Sequence, residues 1–325
     1  MVVLANKIPF PKNYERFIEL GQEAMAESKL MDAVEYFQKA YAIRQDFPLN
    51  FLITSTYLEI GENEQALFLA SEMKEEYISC LDYLELYIQI LIANHKFIHA
   101  HSIINERILR EKSGEMKQLI SLKKKVRASE LMYEQFEICK IKELKDELSR
   151  LKEHNYYEQL AIVKKSVHLP QESFISIGKN ILLDKEVHNL VRSWVLEEFA
   201  HLHIKEEVDF LTGDQEVHKI IPAKIGGPLD CAAYQRILLF LEKELINDDP
   251  ILLLDLMEEI RLHFALLYPL ADQVINDPHL WAISYIIAHN ESVATKYQIQ
   301  EKMNEIERIQ KLQYKIRYQL EEMIL

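Results

Sequence analysis

The residues best placed to do chemistry are Glu197, Glu198, His201 and His203, in the segment LEEFAHLH. Glu198 and His201 stand three apart, a spacing that puts a carboxylate and an imidazole on one face of a helix, as in carboxylate-bridged metal bundles. Such a site also needs a second helix with the same Glu-x-x-His pair and further glutamates, and no second pair occurs. The reading that follows is a solvated helix end with hydrogen-bonded histidines, without metal or cofactor. No glycine-rich phosphate loop, HExxH, CxxC pair or GxSxG is present. The chain is therefore expected not to be an enzyme, and no catalytic residue is assigned. The remote alternative is an enzyme or metal protein with a site in the C-terminal half. Arg192, beside Trp194, offers an ion pair, a contact to a peptide carboxylate or a hydrogen bond to a helix end. Nothing ties His263 to Trp281 chemically, and Trp194 and Trp281 are expected in the core.

The elements that would position any site announce themselves by repetition. Ala33, Ala66 and Ala100 are spaced 33 and 34 apart, and each is followed four residues later by a packing residue, Phe37, Ala70 and Ile104. Ala24, Tyr57 and Leu91, nine residues earlier, repeat with the same spacings. A helical hairpin copied in this way cannot bury its apolar face alone and must stack on its neighbours. In the first copy, FIELGQEAMAESKLMDAVEYFQKAYAIRQ, small residues at Gly21 and Ala33 let two helix backbones approach while Phe37 fills the space below.

This pattern resembles the tetratricopeptide repeat, with Phe17, Leu20, Gly21, Ala24, Ala33, Phe37 and Ala40 at matching offsets. The second copy keeps Tyr57, a turn glycine at Gly61 and Ala66, with Thr54 in the glycine place. The third keeps Leu84, Leu91, Phe97 and Ala100, with Ile88 in the glycine place and Arg107 where a small residue is usual. Blocks farther on, NILLDKEVHNLVRSWVLEEF and DPILLLDLMEEIRLHFALLYP, resemble a tetratricopeptide-containing family of Gram-positive bacteria with no established activity.

Composition sets outer bounds. Seven glycines and nine prolines in 325 residues, among abundant Leu, Ile, Glu and Lys, disfavour a turn-rich β fold. A formal net charge of −14 argues against nucleic acid and against an anionic membrane surface as partner. The opening MVVLANKIPFPKNYERF lacks a basic region ahead of an apolar core and carries two prolines, unlike a secretory signal. The longest apolar runs fall far short of a bilayer span. Cys80, Cys139 and Cys231 form no motif, which suits reduced thiols in a cytoplasmic protein.

The expected fold is all-α, with a small β-hairpin near 204–222 built around the turn TGDQ. Residues 1–105 hold the repeats, at about 14–46, 47–80 and 81–112. Residues 106–155 read as a charged helical connector with an apolar seam at Ile141, Leu144, Leu148 and Leu151, open to a coiled-coil contact or ordinary hairpin packing. Residues 156–227 read as helix pairs plus the hairpin, with Pro170 and Asp184 as start signals. Residues 228–325 form a C-terminal helical module, with Asp249-Pro250 and Asp277-Pro278 opening helices. A long terminal helix from about 291 to 325 carries Ile299, Met303, Ile306, Ile309, Leu312, Ile316, Leu320 and Met323 as a stripe that must cap the module or pair two subunits.

The resemblance implies a non-catalytic interaction scaffold whose concave groove is lined by the first helix of each repeat, with no cofactor. Its inward positions fall on Glu15, Ile18, Glu19, Gln22 and Met25, then on Phe51, Leu52, Ser55, Leu58 and Glu59, then on Glu85, Leu86, Gln89 and Ile92. The Lys, Asn and Arg that clamp a terminal carboxylate in some family members are missing from this set. The partner implied is a protein or peptide with basic and apolar residues. The alternative is a peptide-sensing regulator, although the basic recognition helix of an attached DNA-binding output domain is not seen.

Overall fold

The structure, a computed structural model, describes residues 12–111, 114–289, 297 and 300–321. It divides into two compact units, Met1–Phe136 and Glu137–Leu325. Among the described residues there are 17 α-helices and one two-stranded antiparallel sheet.

In the first unit the copies are helix pairs: α1 (Lys12–Ala26) with α2 (Leu30–Tyr41), α3 (Phe47–Ile60) with α4 (Asn63–Ser71), and α6 (Leu81–Ala93) with α7 (Phe97–Arg110). The in-phase alanines are at the contacts, since Ala33, Ala66 and Ala100 are fully buried with Phe37, Ala70 and Ile104. Gly21 has its own reason: a Cβ there would lie 2.3 Å from the Phe37 ring, so only glycine leaves that ring its seat.

The turns inside the three pairs are also copies. Ser28, Gly61 and His95 take φ of 59°, 85° and 56°. Each donates its amide three residues back, to Met25, Leu58 and Ile92, and the next residue reaches Ala24, Tyr57 and Leu91 at 2.8–2.9 Å. That is the left-handed helix ending glycine favours, used here by serine and histidine as well. Between pairs, Asp46 caps α3 by accepting from the Leu49 amide and also accepts from Tyr14 Oη at 2.7 Å, joining the first copy to the second.

Two helices extend this pattern. The short α5 (Lys74–Ser79) follows α4 and buries Tyr77 completely. α8 (Met116–Phe136), within the segment expected as a connector, packs on α6 and α7 and gives Leu119, Leu122 and Val126 to their core.

The second unit starts with α9 (Ile138–Ser149), which packs on α10 (Tyr156–Lys165) and α11 (Gln171–Leu183); of the expected seam Ile141, Leu148 and, just beyond the helix, Leu151 are buried, while Leu144 is half-buried. α12 (Asn189–His201) begins four residues later than the Asp184 cap signal suggested. The His188 ring accepts the Leu190 amide as its cap, while the Asp184 side chain closes the preceding turn on the Glu186 amide. The hairpin forms as expected, β1 (Val208–Leu211) pairing with β2 (Val217–Ile220) around residues 212–216. Val208, Phe210 and Leu211 bury against the helices, which answers where a lone hairpin finds support.

α13 (Ala232–Leu245), α14 (Pro250–Leu267), α15 (Ala271–Val274), α16 (Pro278–His289) and α17 (Met303–Glu321) complete the unit. Asp249 and Asp277 cap α14 and α16 through the Leu252 and Leu280 amides, at 3.0 and 3.1 Å, as their Asp-Pro pairs predict. Part of the terminal stripe packs inside its own module: Ile306 and Ile316 are buried, with Ile309 and Leu312 packed beside them against α14 and α16, while Met303 is exposed. Ile299, Met323 and the side chain of Leu320 lie outside the described residues, as do residues 1–11.

Candidate functional site

The carboxylate–histidine segment ends α12, and the fold gives its members different surroundings. Glu198 is buried, and burial, then the charge of Glu197, pushes its carboxyl up to about 7. His201 is exposed on the last turn. Burial and Asp230 also raise Glu197, while Asp230 accepts from the Gly227 amide at 2.7 Å. Among the described residues no three His, Cys, Asp or Glu side chains are arranged to hold a metal ion.

Arg192 is 2% exposed and donates only to backbone carbonyls: Leu211 at 2.8 Å, Asp184 at 2.9 Å, Thr212 at 3.4 Å, and Val187. Of the three roles open to it, the hydrogen bond to a helix end is the one present, extended to the hairpin. Burial brings its guanidinium down to about 10, against the opposing pull of Asp184.

One expectation is corrected: His263 and Trp281 are tied chemically. The Tyr285 hydroxyl lies 2.6 Å from His263 Nδ1 and accepts from Trp281 Nε1 at 3.3 Å. Glu259 approaches His263 Nε2 at 3.6 Å and accepts from Arg317 Nε at 2.6 Å, joining α14, α16 and α17 through polar atoms. Trp281 is a core residue, whereas Trp194 is half-buried.

The expected groove residues divide by surroundings. Glu15, Glu19, Gln22, Glu59 and Gln89 are exposed on α1, α3 and α6. Ile18, Met25 and Leu52 are half-buried against the first core, and Leu58 packs against the second. Ser55 is turned onto its own helix, donating to the Leu52 carbonyl at 2.9 Å. Phe51 belongs to an aromatic cluster, its ring 6.1 Å from Tyr77 and 5.4 Å from Tyr83. Glu85 is ion-paired with Lys125 of α8. Leu86 and Ile92 are half-buried against that core.

A cleft that the sequence did not suggest lies on the second helices, between α2 and α4. It is an open recess of about 650 Å³ lined by Gln38, Tyr41, Tyr57, Glu64, Phe68 and Glu72 among others. Phe68 is 71% exposed there. Tyr41 is held from below: its hydroxyl accepts from Asn50 Nδ2 at 3.1 Å and donates to Glu72 at 3.1 Å. Buried Asn50 in turn accepts from Tyr77 Oη at 2.9 Å and donates to the Leu69 carbonyl at 3.0 Å, so one amide fixes α2 to α5. Burial pushes the Tyr77 hydroxyl up to about 12, which keeps it a donor.

Hairpins repeating every 33 or 34 residues with one turn type make a helical repeat array that resembles the tetratricopeptide arrangement. The chain is similar to the TPR repeat-containing protein YsoA of Bacillus subtilis (strain 168), 25% identical over 296 residues that cover 86% of this chain and 84% of that one. This likeness supports a tetratricopeptide-containing family of Gram-positive bacteria. No protein-family profile matches the chain, and no solved structure matches it. No helix among the described residues is long and apolar enough to cross a membrane.

Proposed function

We propose that the chain is a non-catalytic interaction scaffold that holds an extended basic and apolar segment of a partner protein against α1, α3 and α6. The observation behind this reading is the threefold hairpin with its repeated turn, because hairpins stacked in register repeat whatever their first helices expose. Those helices expose Glu15, Glu19 and Glu59 beside half-buried Ile18, Met25 and Leu52. A net charge of −14 steers a basic partner toward them. Glu85 contributes less, since Lys125 already neutralises it.

The α2–α4 cleft favours a second reading, in which the partner's apolar residue meets Phe68 and its basic residue meets Glu64 or Glu72. Peptides selected from a displayed random library by the full-length protein should be rich in Lys or Arg spaced by apolar residues. Reversing Glu15 and Glu59 to Lys should weaken the selected peptide at low salt by about tenfold or more, while reversing exposed Glu143 and Glu153 changes little. Loss through Phe68→Ala with Glu64→Lys instead would move the site to the cleft. Equal loss from Glu15/Glu59 and Glu143/Glu153 would leave only global charge and remove both readings.

A further inference from the structure

Two neighbouring helices of the second unit leave an apolar face uncovered. α13 and α14 are joined by the turn 246–249 and pack side by side. Their inner sides bury Ile237, Leu241, Leu256 and Ile260 in one core. On the opposite sides the exposed positions keep helical spacing: Leu239, Lys243 and Ile246 along α13, then Ile251, Leu254 and Asp255 along α14. The four aliphatic side chains among these are 57–73% exposed. Apolar side chains scattered singly on a surface need no explanation, but four gathered at the closed end of one hairpin form a patch, and such a patch marks an interaction site. Leu262, also exposed, extends it along α14.

The charges say what covers this face. Lys243 stands three residues before Ile246, and Asp255 stands four after Ile251. Both therefore lie about one turn from the closed end, at the same height on antiparallel helices. Neither forms an ion pair among the described residues, whereas Glu258, farther along α14, is taken by Arg261 at 3.0 Å. The face is thus basic and apolar on α13, acidic and apolar on α14. A complement to it presents an acid among aliphatic side chains to α13 and a base among aliphatic side chains to α14, at one height and on antiparallel helices. The same hairpin, turned about a two-fold axis along its length, meets every one of these conditions.

We propose that the protein forms a two-fold symmetric dimer through this face, with α13 of each copy lying antiparallel on α14 of the other. Leu239 and Ile246 meet Ile251 and Leu254 of the second copy, Lys243 meets its Asp255, and each contact is made twice. The face lies in the second unit and uses none of the groove residues of α1, α3 and α6. It spans about 17 Å of two helices set about 10 Å apart, the small end of stable interfaces, so the dimer should dissociate in the micromolar range.

Sedimentation velocity of the full-length protein from about 1 to 300 µM, at about 0.15 M salt, tests this, since the repulsion between two chains of net charge −14 is then largely screened. The sedimentation coefficient should climb from monomer to dimer and stop there, because a two-fold contact closes on itself. Leu239→Ser combined with Leu254→Ser alters exposed side chains, so circular dichroism should be unchanged while the dimer weakens at least about tenfold. Lys243→Glu and Asp255→Lys should each weaken it by about tenfold, since each sets two pairs of like charges face to face. An equimolar mixture of these two variants should dimerise within about threefold of the wild type, because in the mixed pair the altered residues face each other and the unaltered ones do too. A monomer at every concentration would overturn the proposal. So would a dimer that survives the double serine variant, which would place the contact elsewhere, such as the exposed Tyr314 and Tyr318 of α17. A mixture that associates no better than its two components would overturn it as well.

Discussion

Two buried titratable residues in the second unit make opposite statements about stability. Glu198 titrates near 7 in the folded chain because of burial and Glu197, against an ordinary 4.5. Between those values the folded chain keeps a proton that the unfolded chain has released. Its contribution is therefore fully present below about 4.5 and is lost as the pH rises to about 7. His263 runs the other way. Burial, with the Arg317 charge, brings it to about 4 from 6.5, so the unfolded chain holds the extra proton and stability climbs with pH across that window. The two slopes oppose each other in the wild type. Glu198→Gln should leave urea-unfolding stability rising with pH relative to wild type, and His263→Gln should leave it falling. Variants with parallel pH profiles would sink this account.

Backbone strain at single residues gives a second expectation. Ser28 holds a left-handed turn at φ 59°, a place that Gly61 fills without a Cβ penalty. Ser28→Gly should raise stability by about 0.5–1 kcal/mol in chemical denaturation. A loss of stability would mean that the Ser28 side chain supports the turn. Sequence alone did not expose this position, because serine and histidine do not advertise positive φ as glycine does; only the 33- and 34-residue phase to Gly61 marks it.

At the scale of elements, what was legible followed from periodicity and caps. The copied alanines gave α2, α4 and α7, and the Asp-Pro pairs gave the starts of α14 and α16. The misses have physical causes. α5 is six residues long, without a side-chain cap, and is held by what Tyr77 reaches across the chain, so no local pattern reveals it. Its insertion is also why Phe51, which the repeat register turns inward, sits among aromatic rings. The α2–α4 cleft was invisible for the same reason, since it depends on which second helices stand next to each other.

Arg192 carries the element-scale prediction. Its fork joins the end of α11, the turn before α12 and the last residue of β1, and the side chain is buried. Arg192→Met would remove a buried cation but orphan those carbonyls, at a cost of about 2–4 kcal/mol. Amide hydrogen exchange should speed up first in residues 208–220, where the hairpin would lose its anchor. Unchanged protection there would show that apolar burial of Val208 and Phe210 suffices.

At the scale of the molecule, each unit owns a core and each uses the same close-packing device. In the first unit a Cβ on Gly21 would lie 2.3 Å from the Phe37 ring; in the second, one on Gly178 would lie 2.5 Å from the Phe199 ring and 3.1 Å from Val195. Both rings are fully buried, so neither can swing out of the way cheaply. Gly21→Ala and Gly178→Ala should each cost about 1–3 kcal/mol through overpacking, partly offset by the lower unfolded-state entropy of alanine. The clusters that contain these rings are internal to their own units, so the damage should stay local. Calorimetry of the full chain is then expected to resolve two transitions. Gly21→Ala should lower one and leave the other in place, with Gly178→Ala doing the converse. If either substitution moves the whole unfolding profile together, the two units fold as one cooperative body, and stability measured on any single site reports on the entire chain.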